Sequence, residues 1–118
     1  MGGRGSSSGN AGKPVTANGI SSLESMGAKR WTKGDKDRLY LKNAGAKIMG
    51  LDVETYKTGN ISSATRNGER ISNTQARKII DSYESAYVDL KTGDVLGVGY
   101  GTYGKEFAEK VKRKLRKK

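Results

Sequence analysis

The segment ISSATRNGERISNTQARKIIDSY, residues 61–83, decides the fold class. Its first half sets Asn67-Gly68 between two extended stretches, 61–66 and 69–71. Asn-Gly at that position is the strongest short signal for a β-hairpin, because both central residues of the tight turn take positive φ. The second half opens with Ser72-Asn73-Thr74-Gln75, the pattern of a capping box. There the Ser72 oxygen and the Gln75 side chain satisfy backbone N–H groups that a helix start leaves unpaired. Ala76, Ile79, Ile80 and Tyr83 then recur at helical spacing, and Tyr87 extends the stripe. One apolar face of that kind has to cover a sheet. A hairpin running directly into an amphipathic helix predicts an α+β domain.

Upstream, residues 38–42 alternate polar and apolar side chains as a strand does, with Trp31 before them as a large anchor. Asn43 is placed to cap a short helix over 44–49, and Gly50 to stop it in the left-handed conformation. Residues 53–56 read as a further strand, closed by the turn Thr58-Gly59-Asn60. Downstream, 87–90 and 95–100 read as strands joined through Lys91-Thr92-Gly93-Asp94. After Gly104 the chain turns helical, with Phe107, Val111 and Leu115 as a narrow apolar seam. The sum is an antiparallel or mixed sheet of about four to five strands carrying two to three helices on one face. No internal repeat is apparent. Residues 1–28 read as a flexible Gly/Ser-rich arm, 29–104 as the α+β core and 105–118 as a basic amphipathic helix. Within the arm, Val15, Ile20, Leu23 and Met26 offer a short amphipathic turn that docks on the domain.

With 118 residues the chain holds one domain, and 33% hydrophobic residues against 30% charged leave it a thin core. It contains no histidine and no cysteine. That removes the usual near-neutral proton shuttle, thiolate nucleophiles and the N/S ligand sets of zinc and iron–sulfur sites. No apolar run is long enough to span a bilayer and no signal-peptide pattern opens the chain, so an intracellular, cytoplasmic protein without a membrane partner is expected.

The formal net charge is +11, and residues 105–118 alone carry eight basic and two acidic side chains. So strong a local excess attracts polyanions before any detailed fit, nucleic acid first among them; the plainer reading is a solubilising tail. The candidate contacts are Lys105, Lys110, Lys112, Arg113, Lys114, Arg116, Lys117 and Lys118 on the last helix, with Arg30, Lys33, Tyr100 and Tyr103. More broadly, Trp31, Tyr40, Tyr56, Tyr100 and Tyr103 are interleaved with Lys29, Arg30, Lys33, Arg38, Lys42, Lys57 and Lys105. That is the mixture used to stack bases while neutralising phosphates, although Trp31 and Tyr40 also suit the edge of a small core.

Two motifs suggest other chemistry. Residues 99–105 fit the phosphate-cradling pattern G-x-x-x-x-G-K, but Glu106 stands where Ser or Thr would meet Mg²⁺, and its charge opposes a phosphate. Asp89 and Lys91, with Asp52 and Glu54, offer carboxylates and a lysine of the kind a metal-dependent nuclease uses. Neither outweighs a non-enzymatic reading without cofactor or metal.

The opening MGGRGSSSG at 1–9, KRWTKG at 29–34, DRLY at 37–40, GNISSA at 59–64 and ISNTQAR at 71–77 resemble small accessory proteins carried by phages and prophages of Gram-positive bacteria. The resemblance implies a protein that counters host defence, of anti-CRISPR type, acting on nucleic acid or on a host ribonucleoprotein nuclease. The alternative is a structural or assembly protein whose Phe107, Val111 and Leu115 seam pairs with a partner helix.

Overall fold

The computed structural model describes residues 15–118. The Gly/Ser-rich opening of the expected arm lies outside the described residues. In chain order the elements are α1 (Ala17–Ser25), β1 (Lys29–Lys33), β2 (Lys36–Tyr40), α2 (Gly45–Met49), β3 (Leu51–Thr55), β4 (Ile61–Arg66), β5 (Glu69–Ile71), α3 (Asn73–Tyr83), β6 (Tyr87–Asp89), β7 (Val95–Leu96) and α4 (Thr102–Leu115). The α+β class stands. The strands form two antiparallel sheets, one of four strands in the order β1-β2-β6-β7 and one of three in the order β3-β4-β5.

The deciding segment folds as its residues dictate. Arg66 pairs with Glu69 across the turn, and Asn67 (φ 52°) and Gly68 (φ 85°) both occupy the left-handed region. The Asn67 N–H donates to the Gly50 carbonyl at 2.8 Å, so the hairpin tip is pinned to the left-handed stop of α2. Both halves of the capping box form: Gln75 N–H donates to Ser72 Oγ at 3.0 Å, and Ser72 N–H to Gln75 Oε1 at 3.2 Å.

The core gathers around α4, which touches α1, α2, α3 and β7. Leu23 of α1, Ile79 of α3, Phe107, Val111 and Leu115 of α4, and Leu39 and Val88 from the inner face of the four-stranded sheet have no exposed surface. Their contiguity makes one core, and α4 supplies its axis.

Several expectations change here. Residues 17–25 are a helix docked on the domain, so of the two readings of that stretch the docking one describes it, and it reaches further than one turn. The seam Phe107–Val111–Leu115 is sealed inside this chain by α1, α2 and α3, so it offers nothing to a partner helix and the assembly reading loses its contact. Asn43 caps nothing. Ala44 holds the N-cap position with helical backbone (φ −97°, ψ −16°), which lacks the extended geometry that a side-chain cap requires. The strand expected over 95–100 ends at Leu96, because Gly97 turns left-handed (φ 71°), so close to the Ser85 carbonyl that a β-carbon there would overlap it. Tyr87 leaves the α3 stripe, since α3 ends at Tyr83, and stands on β6 instead. The strand expected at 38–42 is the second arm of a hairpin, β1–β2, turned by Gly34-Asp35 with Gly34 at φ 60°.

Candidate nucleic-acid interface

Two glycines start α4. Gly101 (φ 91°) swings the chain into the helix, and Gly104 lies so close to the Gly99 carbonyl that a β-carbon there would overlap it. The four-residue steps of Phe107, Val111 and Leu115 turn one side of the helix inward. Geometry then turns the basic residues outward. Lys105, Lys112, Arg113, Arg116, Lys117 and Lys118 are exposed, while Lys110 and Lys114 are half-buried along the flanks. Lys112, Arg113 and Lys114 in the last turn also lie where cations complement the helix dipole.

That last turn is clamped. The Leu115 carbonyl accepts from Thr16 N–H at 2.8 Å and from Thr16 Oγ1 at 3.2 Å, while the same Oγ1 caps α1 by accepting from Gly19 N–H at 2.9 Å. The single hydroxyl proton of Thr16 is shared between the Leu115 and Lys117 carbonyls. One threonine therefore ties the first described helix to the last, and the cations ride on a supported scaffold. Among the described residues only two ion pairs form, Arg30 with Asp37 and Arg66 with Glu106, so every candidate cation of α4 is without an acidic partner.

The remaining candidates divide between two places. Tyr100 is fully exposed beside a 460 Å³ groove that Lys78, Asp81 and Thr102 also line. Tyr103 is half-buried under the Arg66 guanidinium, which stands 5.6 Å from its ring, donates to the Met49 carbonyl at 3.0 Å and pairs with Glu106. Glu106, the residue that spoils the phosphate-loop pattern, is thus a structural partner of the hairpin strand β4. Arg30 and Lys33 lie on β1, the edge strand opposite β7, three strand spacings or roughly 14 Å across the sheet from the strand that touches α4. They share no patch with the helix. Arg30 is bidentate to Asp37, with Nε–Oδ1 at 3.0 Å and Nη2–Oδ2 at 2.7 Å. That hydrogen bonding holds the Asp37 carboxyl below the usual aspartate range and raises the Arg30 guanidinium.

Directly opposed residues of antiparallel strands point to the same side. The register therefore puts Lys29, Tyr40 and Tyr87 in one row, Trp31, Arg38 and Asp89 in the next, and Lys33 with Lys36 in the last, all on the outer face of the four-stranded sheet. Trp31 and Tyr40 are edge to face with centroids 6.3 Å apart, and Tyr40 and Tyr87 are tilted at 5.7 Å. Arg38 lies 4.7 Å from the Tyr87 ring centre and 5.8 Å from that of Trp31, and its Nη1 donates to the Tyr40 hydroxyl at 3.3 Å. This bond is the chief reason its guanidinium is raised above the ordinary arginine value. Sequence reasoning named Trp31, Tyr40 and Arg38 in its mixture but missed Tyr87 and Lys36. The Gly34-Asp35 dipeptide, which fixes the β1–β2 register, is the signal that brings them together. Tyr56 is exposed at the tip of the other sheet.

Asp89 lies in the four-stranded sheet, its Oδ1 accepting from Lys91 N–H at 2.9 Å, whereas Asp52 and Glu54 lie on β3 of the other sheet. Among the described residues no three acidic side chains converge as a metal site would require, and no helix is long and apolar enough to cross a membrane. Compared with known proteins, the chain matches no family model, no curated protein and no solved structure.

Proposed function

We propose that the protein is a non-enzymatic nucleic-acid binder whose principal contact is the basic face of α4. One observation carries this reading: the helix commits its whole apolar seam to the core of its own chain, while six exposed cations on and just beyond it have no acidic partner among the described residues. Solubility alone does not require such a one-sided field, and a row of unpaired Lys and Arg on a clamped helix is suited to successive phosphates. In this reading the site of action is the bacterial cytoplasm. The purpose suggested by the sequence resemblance is obstruction of a host defence nuclease at its nucleic acid.

The test is neutralisation. Replacing Lys112, Arg113, Arg116 and Lys117 by Gln removes four exposed charges, two from the last turn of α4 and two from the residues just beyond it. At 0.1 M salt each phosphate contact contributes roughly five- to eightfold through counterion release, so losing four lowers affinity for a labelled oligonucleotide by roughly 10³-fold. Unchanged affinity in a variant with the wild-type circular dichroism spectrum overturns the proposal.

A further inference from the structure

We propose a second binding site: the outer face of the four-stranded sheet is a stacking platform for single-stranded nucleic acid, with Trp31, Tyr40 and Tyr87 receiving bases and Lys29, Lys33 and Lys36 receiving phosphates. The inference deepens the nucleic-acid reading and rests on it.

Exposure is the first argument. In a chain with a thin core, Trp31 keeps 38% and Tyr40 37% of its surface in water, side by side on one face, although burial of such rings is worth more than that of any other side chain. The hydrophobic effect alone would draw them in. They stay out because the register puts them opposite the face that carries Leu39 and Val88.

Ring geometry is the second. The three rings meet edge-on or tilted, at 71° and 43°, so they do not close face to face upon one another. Arg38 braces all three at once, through two ring contacts and one hydrogen bond, and a guanidinium plane is itself a surface on which a base can stack.

Charge settles the occupant. Among the described residues Lys29, Lys33 and Lys36 are exposed and form no ion pair, Arg38 is held over the rings, and the acids beside them are Asp89 in the register rows of this face and Asp35 in the turn next to Lys36. Asp37, the other acid of the hairpin strands, pairs with Arg30 and belongs to the opposite row. Beside Tyr40 the face continues into a 350 Å³ hollow bordered by Lys29 and Lys42, with Glu84 as its one acid. Aromatic faces ringed by lysine match a polyanion that carries flat, apolar rings. A duplex cannot use the aromatic part, because its bases are already stacked and paired; a single strand can.

Trp31 is the only tryptophan of the chain, so its emission reports on this face alone. An oligothymidylate of about ten nucleotides, within the usual span of such sites, is titrated into the full chain while Trp31 emission and the anisotropy of a labelled copy are followed together. The expected result is quenching that saturates with the anisotropy, and no quenching by the corresponding duplex. Trp31→Ala and Tyr40→Ala each weaken single-strand binding about 5- to 150-fold and leave duplex binding unchanged. Because the quenching is read on the unaltered protein, the outcome does not depend on how the variants fold. Oligothymidylate that binds by anisotropy with Trp31 emission unmoved overturns the platform and leaves the helix reading standing. Absence of binding by either nucleic acid overturns both. Equal quenching by poly-glutamate overturns the platform in favour of an acidic peptide site.

Discussion

Gly19→Ala separates two physical effects of opposite sign. Gly19 sits inside α1, where alanine is the better helix former by about 1 kcal/mol. Considered as an isolated helix, α1 gains. In the folded chain Gly19 is buried against the end of α4, and a β-carbon there would overlap the Leu115 carbonyl, a backbone group that has no rotamer to escape into. The most α1 can lose is its docking. That exposes Leu23, worth about 2 kcal/mol of apolar burial, and breaks the Thr16 N–H bond to Leu115 and the one hydroxyl bond of Thr16 to the end of α4, each worth about 1 kcal/mol. The loss is then about 4 kcal/mol against a gain of about 1, a net destabilisation of up to about 3 kcal/mol. Urea unfolding followed by circular dichroism reads the difference. Ser21→Ala, on the exposed side of the same helix, is the control and stabilises by a few tenths of a kcal/mol. If Gly19→Ala proves as stable as Ser21→Ala, α1 does not pack on α4 and the clamp on the basic helix is refuted.

Ser72→Ala removes an oxygen that accepts the Gln75 N–H and lowers stability by about 1 kcal/mol, measured as a shift in urea midpoint with unchanged slope. Burial pushes the Tyr83 phenol above its ordinary value, so the stability it confers is complete below pH ~10 and lost as pH climbs toward the raised value. Tyr83→Phe, which keeps the ring against Phe107, reduces that alkaline decline in thermal melts, and an identical decline in the variant would refute the assignment.

Local signals were legible and long-range pairings were not. Asn67-Gly68 and the Ser72–Gln75 box act within a few residues, and both form as their chemistry requires. Gly34-Asp35 carried the same kind of information for β1–β2, masked by the charged, poorly apolar strands that flank it. The helix α1 reads ANGISSLES, with glycine, asparagine and three serines. Propensity argues against it, and it forms because Leu23 and Thr16 find α4, a contact made across nearly the whole chain. The same holds for β2 with β6, which closes the four-stranded sheet and so divides the strands into two sheets. At the candidate site, the cations of α4 were visible as composition. That its seam serves the chain's own core, that Arg30 is tied to Asp37, and that Tyr87 joins Trp31 and Tyr40 are consequences of tertiary pairing.

The salt dependence of oligonucleotide affinity addresses the electrostatic claim most directly. With about five phosphates contacted, log affinity falls against log salt with a slope near −3.5 for a single strand and −4.5 for a duplex. Neutralising Lys112, Arg113, Arg116 and Lys117 flattens that slope by roughly 3 units. A slope near zero for the unaltered protein, or the same slope in both proteins, would contradict it.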